Sequence, residues 1–223
     1  ATLSTNGVAV TLVFVDATKG WIVTDSGNET DAPTAKFVTA TGGSITTRCT
    51  NFKVHTFTSP GTFCVSCAGN PAGSTQVDYM VIAGGGGSGT AGAGGGGAGG
   101  YRESYSSPVS GCYTASPLAT PTGITVTATA FPITVGGGGA GLPRPTPIPG
   151  AGGARGTNSI FSTITSTGGG GSPSQTETIT PTAPGGSGAG LAKGASGPAG
   201  VGNTPPVSPP QGNNGGVNGP QVA

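Results

Sequence analysis

Residues 77–100 read VDYMVIAGGGGSGTAGAGGGGAGG, and the fold turns on how this stretch is taken. It opens as a β-strand. Val77, Tyr79 and Val81 alternate with Met80 and Ile82, and a run that is apolar on both sides predicts a strand covered on both faces. From Gly84 onward the only residues besides glycine are alanine, serine and threonine. Glycine loses more backbone freedom on ordering than any other residue, and a free coil needs no apolar strand to launch it. The tract is therefore expected to be ordered and packed against other glycine-rich segments further along.

The conformation suited to such packing is the polyproline-II-like helix, with three residues per turn, a rise of roughly 3.1 Å and no internal hydrogen bonds. All its N–H and C=O groups point outward. Helices of this kind can bundle and bond to one another where the side chains at their contacts are no larger than hydrogen or methyl. Prolines have a suitable φ and fit wherever no donor is needed. An ordering cost of about 1–2 kcal/mol per residue must then be offset by hydrogen bonds each worth about 0.5–1.5 kcal/mol net. The balance is close, so strands that anchor each tract, and trimerisation, would both help.

The pattern recurs. Ile133-Thr134-Val135 runs into Gly136–Gly139, and the stretch from Ser159 to Thr167 runs into Gly168–Gly171. With the first tract, a short apolar strand is followed three times by four glycines, at spacings too irregular for a solenoid of fixed period. Of the 47 glycines, 8 fall in residues 1–83 and 39 in 84–223; the 20 prolines divide 3 and 17. That shift divides the chain into a β-rich part, 1–83, and a glycine-rich part, 84–223, whose tail from about 181 is glycine, proline, serine and asparagine with few apolar residues. The second part has too few large side chains to build an oily core.

The first part reads as short strands separated by turns. Val8, Val10, Leu12 and Phe14 alternate, Asp16 to Gly20 is a turn, and Trp21 to Val23 resumes the apolar run. Strands are expected again at 36–40, 52–57 and 63–67, with turns at Ser59-Pro60-Gly61 and Asn70–Gly73. A further β-like stretch, 124–129, ends at Phe131-Pro132. No segment has helical periodicity. The expected fold class is all-β: a small N-terminal β-sandwich-like part, followed by short strands and packed polyglycine/polyproline-II-like segments.

Composition narrows the function classes. Charged residues are 7% and the net charge is +1, which gives no support to nucleic acid or an anionic membrane as partner. No run of 18 apolar residues predicts membrane insertion. The chain opens at Ala1 with its only methionine at Met80, and is expected to be a processed product or a fragment. The seven carboxylates, Asp16, Asp25, Glu29, Asp31, Asp78, Glu103 and Glu177, form no spaced pair for glycoside hydrolysis. His55 is the only histidine and reads as a structural residue on a strand. No enzymatic activity and no cofactor are expected.

Several motifs have both a chemical and a plain reading. Gly87-Ser88-Gly89-Thr90-Ala91-Gly92 matches GxGxxG after a strand, but a dinucleotide site needs a helix next, and AGGGGAGG cannot make a stable one. Cys49, Cys64, Cys67 and Cys112 allow two disulfides in three connectivities. Cys49, Cys64 and Cys67 with His55 also make up the four ligands of a zinc site, and free thiols are the third option. Cys64 and Cys67 form a CxxC inside a strand, where residues three apart face opposite sides, which argues against a redox pair. Asp25, Glu29 and Asp31 cluster in a loop without the EF-hand spacing. Asn28 heads an N-x-[ST] sequon. Tyr101, Arg102, Tyr105, Tyr113 and Arg144 are large side chains set beside the glycine tracts, of the types favoured in recognition surfaces; the plain reading is that they cap the tracts.

The segments NFKVHTFTSPGTFCVS (51–66), STQVDYMVIAGGGG (74–87), GGGGAGGYRES (94–104), ITVTATAFPITVGGGGAG (124–141), SIFSTITSTGGGG (159–171) and NTPPVSPPQGNNGG (203–216) together resemble the glycine-rich domain of bacteriophage tail-fibre and virion fibre proteins. The resemblance covers roughly residues 42–216. It departs at 142–150, where LPRPTPIPG interrupts a tract that usually runs longer. It implies a homotrimer or helical homo-oligomer on the virion surface, joined to other virion proteins. It further implies a polyglycine-II sandwich whose loops, here 101–116 and 142–149, touch a bacterial surface glycan or outer-membrane protein. A self-assembling protomer of an extracellular filament is the alternative.

Overall fold

The computed structural model describes residues 10–26, 34–90, 92–106, 114–143, 152–174, 183–195 and 197–217. Among them the regular structure is entirely β, and no helix is long and apolar enough to cross a membrane. The strands are β1 (Val10–Asp16), β2 (Gly20–Ser26), β3 (Val38–Thr41), β4 (Ser44–Arg48), β5 (Phe52–Thr56), β6 (Gly61–Ala68), β7 (Gln76–Val77), β8 (Met80–Ile82), β9 (Tyr101–Glu103), β10 (Ile124–Thr125), β11 (Ala130–Thr134), β12 (Ser159–Phe161) and β13 (Ile164–Ser166).

The main sheet has the order β13-β12-β11-β6-β3, antiparallel throughout, and so draws strands from both sides of residue 83. Phe63 and Val65 of β6 and Phe161 of β12 are buried against Tyr79, Val81 and Val126. Phe63 is the hub of an aromatic cluster, with ring centroids 5.9 Å from Phe161, 6.5 Å from Phe131 and 5.0 Å from His55. Two further hairpins, β1–β2 and β4–β5, stand outside this sheet, and β5 meets the core through His55. In β1–β2 the turn forms where the sequence places it: the amides of Thr18 and Lys19 donate to Asp16 Oδ1 (2.8 and 2.6 Å) and hold that carboxyl below its ordinary value.

Four details correct the strand reading. The 77–82 run is two strands, and it is covered on one face: Tyr79 and Val81 are buried while Met80 is 64% exposed. The β-like stretch 124–129 keeps its strand only at Ile124–Thr125, and the next strand passes through Pro132. Proline is tolerated there because β12 pairs only with Ile133 and Thr134, leaving no partner that needs an amide at 132. The 159–164 segment is the start of a hairpin, turned by Ser162 at φ 52°. β4 and β9 come from stretches with no apolar alternation, and pairing with β5 and β8 makes them strands.

The glycine tracts are ordered, and they continue the strands. The run 83–89 leaves β8 and the run 94–100 enters β9; 136–142 leaves β11 and 152–158 enters β12; 167–174 leaves β13. Strand register carries into the runs without a shift. Ile82 opposite Tyr101 is followed by Ala83 N–H to Gly100 C=O (3.0 Å) and Gly86 N–H to Gly97 C=O (2.8 Å). Ile133 opposite Phe161 is followed by Thr157 N–H to Gly137 C=O and Ala154 N–H to Ala140 C=O. Ile160 opposite Thr165 is followed by Gly156 N–H to Gly169 C=O and Gly153 N–H to Ser172 C=O. Each bonded pair lies three residues beyond the last, the repeat of a three-fold helix rather than a strand.

Contacts between pairs use the remaining rows. Gly84 and Gly87 donate to Thr157 and Ala154, and their carbonyls accept from Gly169 and Ser172. Gly85 and Ser88 accept from Gly139 and Leu142. The run 167–174 is the innermost, bonded to 83–89, 94–100, 152–158 and 183–191, with Gly168 to Ser172 all buried. The tail joins through Gly188 N–H to Asn213 C=O and Leu191 N–H to Gly216 C=O. Buried Gln211 ties it down, its side chain accepting from Thr167 N–H (2.8 Å) and donating to Pro205 C=O (3.2 Å). The largest fully buried side chains are serines 104, 166, 172 and 174, so the interior of the bundle is main chain.

Glycine is required here for closeness rather than for positive φ. A Cβ on Gly84, Gly86, Gly156, Gly168, Gly169 or Gly171 would overlap a carbonyl group of a neighbouring run, and none of these residues has positive φ. Gly171→Ala drives a methyl into the Gly153 carbonyl and should cost about 1–3 kcal/mol, read by denaturant unfolding. Phe161→Ala removes the ring that meets both Phe63 and Phe131; a loss of about 3–4 kcal/mol is expected in the same assay.

Candidate contact surface

Tyr101 and Arg102 sit on β9 rather than on a free loop. Their placement follows from β8, where Met80 faces Glu103, Val81 faces Arg102 and Ile82 faces Tyr101. Directly opposed residues of an antiparallel pair share a face. One face therefore carries Met80, Ile82, Tyr101 and Glu103, with Met80 and Ile82 exposed and Glu103 buried. This patch was not legible as a surface in the sequence, where Met80 and Ile82 read as the second face of a covered strand.

Around the patch, two carboxylates fix the backbone. Buried Glu103 accepts from Tyr101 O–H (2.9 Å) and Ser116 N–H (3.3 Å), and its carbonyl accepts from Thr120 N–H (3.0 Å). Asp78 accepts from Ser104 Oγ–H (2.8 Å), Ser106 Oγ–H (2.8 Å) and Ser106 N–H (3.1 Å). Ser104 Oγ in turn accepts from Tyr79 N–H (3.0 Å), and Ser106 Oγ accepts from Gly123 N–H (2.8 Å). Segment 101–106 is thereby fastened to 114–123, with Tyr105 N–H donating to Thr120 C=O (2.8 Å). Tyr101, Arg102 and Tyr105 are all half-buried along this one segment. Tyr113 and Arg144 lie outside the described residues, as do Asn28, Cys112, Glu29 and Asp31.

Cys49 is disulfide-bonded, whereas Cys64 and Cys67 are free, so the two bridges that four cysteines allow do not both form. Among the described residues no group of three or more His, Cys, Asp and Glu gathers to hold a metal, and the set of Cys49, Cys64, Cys67 and His55 is not assembled. His55 instead pairs through Nδ1 with Gly42 C=O (2.8 Å) and sets its ring edge-on to Phe63. In the GxGxxG stretch, Gly87 lies inside the bundle: its N–H donates to Ala154 C=O and its carbonyl accepts from Ser172 N–H.

Asp78→Ala strips several donors of their acceptor and should destabilise the chain by about 1–3 kcal/mol. Native-state hydrogen exchange should then place the faster-exchanging amides at Ser106 and Gly123, with those of the innermost glycine run unchanged.

No curated protein and no solved structure matched the chain. Residues 57–222 match the family described as glycine-rich domain, which takes in the aromatic hub, the patch on β8 and β9 and every glycine run of the bundle. The chain belongs to that glycine-rich domain family.

Proposed function

We propose that the chain is a structural virion protein of a bacteriophage, part of a fibre or adhesin-type appendage that contributes to attachment at the host surface. The observation that carries this reading is the bundle itself. Main chains hydrogen-bonded to main chains along several parallel and antiparallel runs make a stiff body, and it holds a shaped patch at the β8–β9 end. Such a body suits mechanical display. The residues gathered there, Met80, Ile82 and Tyr101 with Arg102 and Tyr105 alongside, suit recognition of a bacterial surface glycan or an outer-membrane protein. The protein acts without enzymatic activity or a cofactor, as a homo-oligomer with other virion proteins, on the virion surface. Nucleic acid and membrane insertion have no part in this reading.

A filament of indefinite length built from the same chain is the second reading, favoured by bundle edges at which a Cβ added to a glycine would meet no atom of the chain. Immunogold labelling in negative stain separates the two: label on fibres attached to virions supports the first, and label along unbranched free polymers supports the second. Purified chain should also slow adsorption of the labelled particles to their host. Met80→Asp or Tyr101→Ala should weaken that competition about tenfold, the equivalent of about 1.4 kcal/mol. Release of oligosaccharide from host polysaccharide by the purified chain would overturn the non-enzymatic part of the proposal.

A further inference from the structure

Most glycines in the bundle have a steric reason to be glycine. Among the described residues whose φ is not positive, three have open space: at Gly95, Gly137 and Gly216 a Cβ would meet no atom within 4 Å, while Gly85, Gly138 and Gly190 would give one only ordinary contacts. Ordered glycine is disfavoured by about 0.5–1 kcal/mol relative to alanine, so nothing in the chain's own packing favours it at these three places. Their positions are not scattered. Gly95 and Gly216 line one groove of about 450 Å³ between 94–98, 187–191 and 215–217. Gly190 lines it too and would give a Cβ only ordinary contacts, the nearest at 3.6 Å. Gly137 lies on the run 136–142, whose main-chain hydrogen bonds among the described residues go to 83–89 and 152–158, whereas 167–174 is bonded on four sides.

The two places are complementary. The groove is a missing position in the array: three runs surround it, and Gly95 and Ala98, three residues apart on its lining, are exposed. Gly96 makes no hydrogen bond through its N–H or C=O, and the amides of Gly95, Ala98 and Gly216 and the carbonyl of Gly190 are also unengaged. The run 136–142 is an edge with an unused row: Gly138 and Gly141 make no hydrogen bond through either group, and both are exposed. An occupant of the groove must present alternating donors and acceptors every third residue with no side chain larger than methyl at the contact. Of the described runs, 136–141 has that row open and unpaired.

We propose that the run 136–141 of one copy seats in the groove formed by 94–98, 187–191 and 215–217 of a second copy, continuing the polyglycine bundle across the subunit boundary. The contact is heterologous, because the two surfaces differ, so it closes into a ring or propagates as a filament. It deepens the homo-oligomer of the proposed function and rests on that part of it alone. A chain that assembles but is absent from virions sinks the virion assignment and leaves this contact standing; a monomeric chain found on virions does the reverse.

The test is sedimentation velocity on the full chain with two variants, Gly95→Val and Gly137→Val. Each adds a side chain where its own fold has space, so circular-dichroism melting of the monomer fraction should match the parent. Each alone should raise the dissociation constant of the oligomer at least tenfold. Mixing the two is the decisive arm. Gly95→Val keeps an intact edge and Gly137→Val an intact groove, so the mixture should form a 1:1 dimer and nothing larger. A parent chain that stays monomeric at high concentration overturns the proposal. So does an oligomer that both variants leave unchanged, or a mixture that gains no dimer over either variant alone.

Discussion

The structure depends on how close two backbones can come. A hydrogen bond from Gly86 N–H to Gly97 C=O or from Gly169 N–H to Gly84 C=O, repeated every third residue, needs adjacent main chains in direct contact. A Cβ at Gly86, Gly97 or Gly169 would stand inside the carbonyl group of the next run. The rule is the reverse of an ordinary core. There, large side chains fill the space between backbones and the hydrophobic effect drives them together. Here the space is absent, and cohesion comes from polar groups that satisfy one another with little side-chain area to bury. Even the few enclosed side chains follow the rule: serines 166, 172 and 174 are small, and Ser166 Oγ–H donates to Val81 C=O at 2.7 Å.

Such an array has a weak driving force per residue, since ordering glycine is costly and each hydrogen bond returns little net of water. The chain deals with this by delivering the runs already aligned. β8 and β9, β11 and β12, and β12 and β13 are paired strands, and their registers continue into the glycine runs unchanged. The aromatic cluster around Phe63 holds β6, β11 and β12 together, and through them the ends of the runs. The small oily core thus brings the runs together, and the backbone array extends outward from it. This explains why the main sheet mixes strands from before and after residue 83.

The recurrent order of strand then four glycines made the architecture legible before any coordinates: Gly84, Gly136 and Gly168 each open a run where that pattern predicts one. The all-β class was equally legible from alternation in 10–16 and 61–67. What stayed hidden was everything set by pairing partners. β9 carries Tyr, Arg and Glu, with no apolar alternation, and is a strand only because β8 offers it a ladder. Met80 and Ile82 look like core by composition and are surface by topology. The role of Asp78 and Glu103 depends on serines 104, 106 and 116 arriving from elsewhere in the fold, which no local spacing encodes. Cys64 and Cys67 on β6 leave Cys49 to bridge without them.

The patch and the bundle bear on each other through rigidity. A contact surface gains from being ordered beforehand, because side-chain and loop ordering on binding subtracts from affinity. Segment 101–106 meets that demand at both ends. Its start is the exit of the run 94–100, whose Gly100 N–H is held by Thr167 and whose Tyr101 N–H is held by Gln211. Its end is pinned by Asp78 through Ser104 and Ser106. The carboxylates are therefore spent on amides and hydroxyls of the chain, and Glu103, which shares a face with exposed Met80 and Ile82, is buried. The segment takes its position from the glycine array beside it, through the bond from Gly100 N–H to Thr167 C=O.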